Sequence, residues 1–464
     1  MMETLRKWKE SGSNSCPFIH GARQVGKTTV VEMFGEENYG SFLRIDFVRD
    51  PGAKELFIGK LDVDSLMRRI TARYPQFNPV PGDTLLFFDE VQECKGARAS
   101  IKYIVSDGRY DIVASGSLLG VKIGRRKKDG AGKPFVPVGS EEPIHMGPMD
   151  FEEFLWALGF SEDSTAAIAK RIKDRNPFEP SVFEDLSLYY RQYMVVGGMP
   201  KAVETFVSSP NFNDVRRVHS NILEDYLEDI RNHAPATDRR KIESCLRSLT
   251  VQLSRERKKF RYSDVEDGAE KRGQDYYATA IEWLRGSELV VICDNLTEPH
   301  LPLEERHSDK AFKLYMRDTG LLLSMYEPDV QWAVLNGDID VNRGAIVENS
   351  VACNLDLCGR VPTYFQTEEP TRMEIDFVQT IDGKVTGIEV KSGKNKRHRS
   401  LKKMMEMYSA EGIILETGNI RADEDGVLHL PLFASAFMMP RDPFADNPMP
   451  KARLSMDEMM ERLS

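Results

Sequence analysis

The sequence predicts an α/β protein of several domains, and three observations lead to this expectation. The segment GARQVGKT, from Gly21 to Thr28, fits the phosphate-loop pattern G-x-x-x-x-G-K-[ST] without a mismatch. An apolar run that ends in Asp89 and Glu90 is typical of a strand buried on both faces of a parallel sheet. The chain has 464 residues, which is too long for one hydrophobic core.

Each part of the phosphate loop has a chemical task. Gly21 and Gly26 let the backbone curl, so that its N–H groups can face phosphate oxygens. Lys27 can reach the β- and γ-phosphates, and the Thr28 hydroxyl can bind Mg²⁺. A short strand enters the loop and a helix leaves it with its N-terminal dipole towards the phosphates. We therefore expect ATP and Mg²⁺ as ligands, with these nucleotide contacts: Gly21, Ala22, Arg23, Gln24, Val25, Gly26, Lys27, Thr28 and Thr29.

The acids after the second apolar run complete the predicted hydrolytic site. Asp89 is placed to hold Mg²⁺ together with Thr28, either directly or through water. Glu90 would be the catalytic base that polarises the attacking water. A third strand-like run ends in Ser115 and Ser117, and either hydroxyl could sense the γ-phosphate. This order and spacing after a phosphate loop favour nucleotide hydrolysis.

Composition limits the remaining classes of protein. Hydrophobic residues make up 41% and charged residues 29% of the chain, and the formal net charge is −10. That charge argues against a protein that coats nucleic acid, although local basic patches remain open. No apolar run approaches the roughly 18 residues of a membrane helix, and no secretory signal is visible. The six cysteines form no CxxC pair, so a reducing cytoplasmic compartment without structural zinc is expected.

The middle of the chain predicts helices and then a winged helix. Residues 151–235 read as helices with charged faces, interrupted at the GGMP segment. Residues 236–330 show helices followed by two strand-like runs, the element order of a winged helix-turn-helix. Its basic first turn could contact DNA phosphates, but a packing module with a solvated helix end explains the cluster equally well. The basic residues are Arg255, Arg257, Lys258, Lys259 and Arg261.

The last part of the chain carries a second group of acids. Asp376 and Glu389 lie near facing positions of a predicted hairpin, and Lys391 shares the strand face of Glu389. Glu348, on a predicted helix, adds a third carboxylate. In this D…ExK arrangement the acids would bind Mg²⁺ and Lys391 would orient water or stabilise phosphate charge. A surface hairpin in which Lys391 pairs with an acid is the alternative. A basic run follows: Lys394, Lys396, Arg397, His398, Arg399, Lys402 and Lys403.

Together these segments resemble a family of prokaryotic AAA-type P-loop ATPases whose C-terminal domain of unknown function has a nuclease-like, PD-(D/E)XK type core. The resemblance implies an ASCE/AAA-type ATPase domain at 1–150, a helical lid at 151–235, a winged-helix-like segment at 236–330 and a restriction-endonuclease-like α/β domain at 331–464. It assigns catalytic roles to Lys27, Glu90, Glu348, Asp376, Glu389 and Lys391. The landmarks are GARQVGKTT, LLFFDEVQ, SGSLLG, MDFEEFL, GGMP, KLYMRDTGLL, GAIVEN and EIDF…IEVKSG.

One position departs from the family pattern. Family members place an arginine or lysine after a Pro-Val-Gly that precedes FEEFL, and Ser140 stands there in this chain. Arg125, Arg126 or a neighbouring subunit of an oligomer could supply the missing γ-phosphate contact.

Two functional hypotheses stay open at this point. In the first, an ATP hydrolase couples its nucleotide state to a C-terminal half that binds or cleaves DNA or another nucleic acid. In the second, the chain is a nucleotide-dependent switch whose degenerate nuclease fold binds a protein partner.

Overall fold

The computed structural model describes residues 1–12, 14–116, 139–255, 258–266, 273–338, 343–367, 372–393 and 398–439. These residues contain two β-sheets with helices packed against them. Ser117, Arg125, Arg126, Arg257, Lys394, Lys396 and Arg397, which the sequence singled out, lie outside the described residues.

The first sheet is parallel and carries the phosphate loop. Its strand order is β2-β3-β4-β1-β5, so β1 and β3 flank β4. All six residues of β3 are buried, because the apolar run fills both faces of the sheet. The carboxyl ends of β1, β3 and β4 meet at one edge, where ligands bind in open α/β sheets. The strands are β1 (Cys16–His20), β2 (Ser41–Asp46), β3 (Thr84–Asp89), β4 (Asp111–Gly116) and β5 (Glu141–His145).

Helices pack around this sheet and continue into an all-helical segment. The sheet helices are α1 (Met2–Ser11), α2 (Lys27–Asn38), α3 (Val63–Arg73) and α4 (Lys95–Asp107). The segment that follows contains α5 (Phe151–Ala157), α6 (Glu162–Lys173), α7 (Pro180–Val196), α8 (Pro200–Ser208) and α9 (Phe212–His233). Asp150 and Glu153 form a capping box that begins α5, so this start is specified locally.

The second sheet has eight strands in the order β12-β13-β11-β10-β9-β8-β6-β7. Its strands are β6 (Val290–Leu296), β7 (His307–Met316), β8 (Thr363–Thr367), β9 (Met373–Ile381), β10 (Lys384–Lys391), β11 (Glu411–Glu416), β12 (Arg421–Ala422) and β13 (Leu428–Pro431). The remaining helices are α10 (Arg239–Arg247), α11 (Leu249–Ser254), α12 (Gln274–Ser287), α13 (Thr319–Ser324), α14 (Pro328–Leu335), α15 (Arg343–Leu357) and α16 (Arg399–Tyr408).

The predicted wing differs from a free hairpin. Strands β6 and β7 pair with each other, as the sequence indicates, but β6 also runs parallel to β8 of the C-terminal part. The Asn295 side chain strengthens this junction, because its Oδ1 accepts from the backbone N–H of Gln366 at 2.8 Å. The sequence predicted a domain boundary between residues 236–330 and 331–464. One sheet crosses this boundary, because β6 of the earlier segment pairs with β8 of the later one.

Three of the landmark segments meet at one junction. Asp318 Oδ2 accepts from the backbone N–H of Gly198 at 2.6 Å, and the Gly198 carbonyl accepts from Met149 N–H at 2.7 Å. A Cβ on Gly198 would lie 1.9 Å from the Met149 carbonyl oxygen, so no larger residue fits. Hydrogen bonds among the segments that contain Met149, Gly198 and Asp318 thus hold the helical segment against α13.

The helical segment also shares a hydrophobic core with the C-terminal sheet. The hydroxyl of Tyr190 in α7 lies 2.8 Å from Ser350 Oγ, and Asn354 Nδ2 donates to that hydroxyl at 2.8 Å. Phe151 packs against Phe433 beside this contact. Among the helices that the structure describes, none is both long and apolar enough to cross a lipid bilayer.

Candidate functional site

The phosphate loop has the backbone conformation that anion binding requires. Gln24 and Gly26 adopt positive φ angles of 65° and 95°, and this alternation turns successive N–H groups inwards. Gly21 is required by close approach, because a Cβ there would lie 2.1 Å from the Met146 carbonyl oxygen. Of the other predicted contacts, Ala22 and Val25 are buried, while the side chains of Arg23, Gln24 and Thr29 are exposed.

Lys27 lies inside the loop that it follows. Its ammonium donates to the carbonyl oxygens of Gly21 and Ala22, both at 2.9 Å, and the residue is 7% exposed. Burial lowers the pKa of Lys27, and the nearby carboxylates of Glu90 and Glu288 oppose that shift. A buried cation with few anionic contacts is a fitting partner for phosphate oxygens.

Asp89 lies at the end of β3 and contacts two expected neighbours. Its Oδ2 accepts from the Thr28 hydroxyl at 3.1 Å, and its Oδ1 accepts from the Ser115 hydroxyl. The structure therefore brings Thr28, Asp89 and Ser115 together as the sequence predicts. Arg44 adds a contact that the sequence did not indicate, with Nη2 lying 2.8 Å from the same Oδ2.

Glu90 follows in a strained left-handed conformation, with a φ of 53°. Its backbone N–H donates to Ser115 Oγ at 3.2 Å, and its Oε2 accepts from Gln92 Nε2 at 2.5 Å. The Gln92 contact holds one oxygen of the Glu90 carboxylate in place, and a positioned carboxylate is what a general base needs.

Helix α9 crosses the outer side of the phosphate loop. Gln24 Nε2 donates to Asp225 at 2.6 Å, Arg23 pairs with Asp229, and the Tyr226 hydroxyl donates to the Arg23 carbonyl oxygen at 3.1 Å. Burial raises the pKa of Asp229. This helix therefore contacts the loop directly, and the assignment of residues 151–235 as a lid stays a prediction. Beside it, a cavity of about 540 Å³ is lined by Gly21, Glu90, Gln92, Tyr226, Trp283 and other residues.

These residues fit ATP with Mg²⁺ by three independent observations. The loop backbone is preformed, Lys27 provides a buried cation, and the Thr28 and Asp89 oxygens lie side by side. Such hard oxygen donors suit Mg²⁺.

The C-terminal acids lie in one region, but each already has a partner. Glu348 accepts from Lys313 at 3.0 Å, from Lys258 at 2.5 Å and from the Tyr315 hydroxyl at 2.6 Å. Burial alone would raise the pKa of Glu348, but these cations hold it at about 2. Glu348 thus lies in a buried ion-pair network that favours its ionised form.

Asp376 and Glu389 are engaged differently. Asp376 Oδ2 accepts from the Val390 backbone N–H at 2.9 Å, while its Oδ1 lies 4.0 Å from Lys313 Nζ. Glu389 is 4% exposed and lies 2.5 Å from Lys391, and burial raises its pKa. The pairing of Lys391 with Glu389 is the salt bridge that the sequence left open as an alternative.

The predicted metal site of these acids receives no direct support. Within the described ranges, the three acids do not form a group whose ligand atoms all lie within 4.8 Å of one another. Their metal-binding and catalytic roles stay predictions.

The basic turn before Phe260 also differs from the DNA-contact hypothesis. Lys258 points inwards to Glu348 and its side chain is 14% exposed. Arg255 pairs with Asp264 at 2.5 Å, whereas Lys259 and Arg261 are exposed. A short backbone pairing of Lys259 with Lys313 places the turn beside β7, which explains why Lys258 reaches the buried acid.

Comparisons with known proteins agree with the first part of this geometry. Residues 13–155 match the family described as an AAA domain. The chain therefore contains an AAA-type ATPase domain. Residues 187–330 and 343–433 match two families described as domains of unknown function, DUF8612 and DUF4143. A comparison with curated protein sequences gives no match.

Solved structures with a detectable likeness to the chain include the following two proteins. A Walker-type ATPase of Pyrococcus abyssi is 14% identical with a TM-score of 0.40, over 70% of this chain and 94% of the other. DnaA from Aquifex aeolicus, solved with AMPPCP, is 14% identical with a TM-score of 0.29, over 61% and 86% of the two chains.

A chain of polar contacts connects the ATPase domain to the second sheet, and no sequence motif indicated it. His20, the last residue of β1, lies 2.8 Å from Glu288 Oε1, and His145 at the end of β5 lies 3.8 Å from the same oxygen. Arg317 lies 3.3 Å from His145 and pairs with Asp356 of α15. The only usable signal was that both histidines end strands of the first sheet.

Proposed function

We propose that the chain binds ATP with Mg²⁺, hydrolyses the γ-phosphate bond and passes its nucleotide state to the C-terminal sheet. The observation that carries the first part is the convergence of Lys27, Thr28, Asp89 and Glu90 at the carboxyl edge of the parallel sheet. The match of residues 13–155 to an AAA domain supports it.

The chain's own groups divide the chemical work. The loop N–H groups and Lys27 would bind and orient the phosphates, while Thr28 and Asp89 would hold the metal. When bound, Mg²⁺ supplies neutralisation of phosphate charge. Glu90, oriented by Gln92, would receive the proton of the attacking water at its free Oε1 or at Oε2. Ser115 contacts both residues, because its hydroxyl donates to the Asp89 carboxylate and accepts from the Glu90 backbone N–H.

Glu288 would couple the phosphate loop to the C-terminal sheet. This acid is 6% exposed and contacts His20, directly before the phosphate loop. A shift of the loop on nucleotide binding would change this contact and, through His145 and Arg317, the position of Asp356 in α15. Helix α15 also carries Glu348, so both C-terminal features share one rigid element.

Glu90→Gln tests hydrolysis, with Glu93→Gln on the neighbouring exposed position as the matched control. The Glu90 variant should keep ATP affinity and lose at least ~100-fold in turnover, in line with loss of a general base. The Glu93 variant should hydrolyse ATP at the wild-type rate. Equal ATPase rates in wild type and Glu90→Gln would remove Glu90 as the base.

A second proposal concerns the C-terminal part, which we infer to bind a protein partner without cleaving nucleic acid. The two lysine contacts of Glu348 favour the absence of cleavage, because a metal at this carboxylate would have to displace the ammonium groups of Lys258 and Lys313. Incubation with single- and double-stranded DNA and Mg²⁺ or Mn²⁺ should leave the DNA intact. Cleavage that is lost in Asp376→Asn would establish the nuclease hypothesis instead.

A further inference from the structure

A separate group of ligand-type side chains lies between the start of α16 and the β12–β13 turn. Among the residues that the structure describes, His398, Asp423 and Asp425 are the one group of at least three whose ligand atoms all lie within 4.8 Å of one another. His429 of β13 approaches the same place from the sheet. These residues belong neither to the phosphate loop nor to the acids around Glu348.

Asp423 is held so that one oxygen faces two imidazoles. Its Oδ1 accepts from the backbone N–H groups of Asp425 at 3.0 Å and Val427 at 2.9 Å, which fixes the carboxylate. Its Oδ2 lies 3.5 Å from His398 Nε2 and 3.5 Å from His429 Nε2. These separations are longer than ordinary hydrogen bonds.

His429 provides an independent indication of a ligand. The side chain is 3% exposed, and its Nε2 is buried without a hydrogen-bond partner. Its Nδ1 lies 3.0 Å from Glu416 Oε1 and 2.7 Å from Arg421 Nη2. If Nδ1 donates to Glu416, Nε2 presents a lone pair towards Asp423. If Nδ1 instead accepts from Arg421, Nε2 carries a hydrogen.

The first arrangement has the geometry of a metal centre. A carboxylate that orients a histidine through Nδ1 leaves Nε2 as the ligand atom, a common design around protein-bound zinc. Two ligands at the usual ~2.0–2.1 Å from one tetrahedral Zn²⁺ are separated by about 3.3–3.4 Å. The observed separations of 3.5 Å from Asp423 Oδ2 to each imidazole nitrogen are close to that value.

We propose that His398 Nε2, Asp423 Oδ2 and a carboxylate oxygen of Asp425 bind a transition-metal ion of the Zn²⁺ class, with His429 Nε2 or water as the fourth ligand. Imidazole nitrogen selects such ions over Mg²⁺. Asp425 also pairs with Lys402, and both side chains are exposed, so the lysine can leave the carboxylate as the ion binds. The metal joins the start of α16 to the β12–β13 turn. Sequence reasoning missed the site because it considered cysteine-based zinc only.

Metal binding by the tag-free full-length protein tests the proposal. Zn²⁺ titration calorimetry and metal analysis after dialysis should give one tightly bound ion per chain for wild type. Asp423→Asn should lose this binding, because its amide replaces the ligand oxygen while its carbonyl still accepts from the backbone. Asp382→Asn, at the exposed β9–β10 turn, is the matched control and should bind as wild type. Glu416→Gln should weaken binding by roughly 10- to 100-fold.

Two further measurements separate a metal centre from a simple ion pair. Co²⁺ should produce the visible absorption of a tetrahedral site in wild type but not in Asp423→Asn. Zn²⁺ should also raise the melting temperature of wild type but not that of His398→Ala, which changes a side chain only 14% exposed at the edge of the group. Equal Zn²⁺ affinity in wild type, Asp423→Asn and His398→Ala would overturn the proposal and leave an imidazolium–carboxylate pair.

Discussion

Glu288 Oε1 lies 2.8 Å from Nδ1 of His20, the residue immediately before the phosphate loop. Glu288 ends α12 in a left-handed conformation, with a φ of 59°, and so projects back towards the first sheet. The pKa of Glu288 is lowered: burial alone would raise it, but the hydrogen bond from His20 and the nearby cations prevail. A carboxylate whose ionised form is favoured therefore contacts the residue that precedes the phosphate loop.

Replacing Glu288 with Gln should tighten ATP binding by roughly threefold to tenfold, because one negative charge near the phosphates is removed at an effective protein dielectric. Fluorescence titration with a labelled ATP analogue measures the change. Glu282→Gln, on the exposed side of the same helix, is the control and should leave the affinity unchanged. An unaltered affinity in Glu288→Gln would show that this acid does not sense the nucleotide.

Arg44 should tune the magnesium requirement. Its guanidinium lies 2.8 Å from Asp89 Oδ2, the oxygen that also accepts from Thr28, so it competes with a metal for that atom. Arg44→Gln should therefore lower the Mg²⁺ concentration needed for half-maximal ATP hydrolysis. A Mg²⁺ titration of the ATPase rate checks this, with exposed Arg49→Gln for comparison. A higher requirement in Arg44→Gln would mean that Arg44 supports the metal site.

The grouping of the phosphate-loop residues with Asp89 was easier to predict from the sequence than the contacts around them. Phosphate-loop residues are contiguous, and the carboxyl ends of parallel strands must meet at one edge, so Lys27, Thr28 and Asp89 could be placed from spacing alone. The contacts of Arg44 and Glu288 depend on strand order and on the packing of a distant helix. No short sequence motif indicates either the Arg44 contact or the Glu288 contact. The pairing of Lys391 with Glu389 was open for the same reason, because a D…ExK pattern fits an ion pair as well as a metal site.

Lys258 should stabilise the fold through its contact with Glu348 and should not bind DNA. Its side chain donates to buried Glu348 at 2.5 Å, so Lys258→Ala should destabilise the fold by about 1–3 kcal/mol, as for other hydrogen bonds to charged groups. Urea unfolding measures this, with exposed Lys259→Ala as the matched control. The salt dependence of any DNA affinity should not change in Lys258→Ala. A slope reduced by about one unit would instead place Lys258 on a phosphate.

Asp150 should make stability depend on pH in an unusual direction. Burial, together with the charge of Glu153, raises the pKa of Asp150 to about 7 from 3.8. Between these two pH values the folded state holds a proton on Asp150 that the unfolded state releases. The resulting contribution to stability is complete below pH 3.8 and is lost as the pH rises through about 7.

Asp150→Asn therefore should melt at a higher temperature than wild type above pH 7, since its amide oxygen still caps α5 without a charge. The difference should close towards pH 5. Thermal unfolding between pH 5 and 8 measures it, and Asp163→Asn, at the exposed first turn of α6, should show no such trend. A wild-type advantage at pH 8 would mean that the charged cap prevails.

The pairing of β6 with β8 also bears on the order in which the protein is made. Ribosomes release the β6–β7 hairpin before residues 363–367 exist, so the edge of β6 waits with open hydrogen-bonding groups. Newly made chains on neighbouring ribosomes could pair through that edge. The risk of aggregation is therefore highest during this interval of synthesis. The two segments matched at 187–330 and 343–433 are therefore separate in sequence but share one sheet. The β6 edge of the first segment is covered only after the second segment has been synthesised.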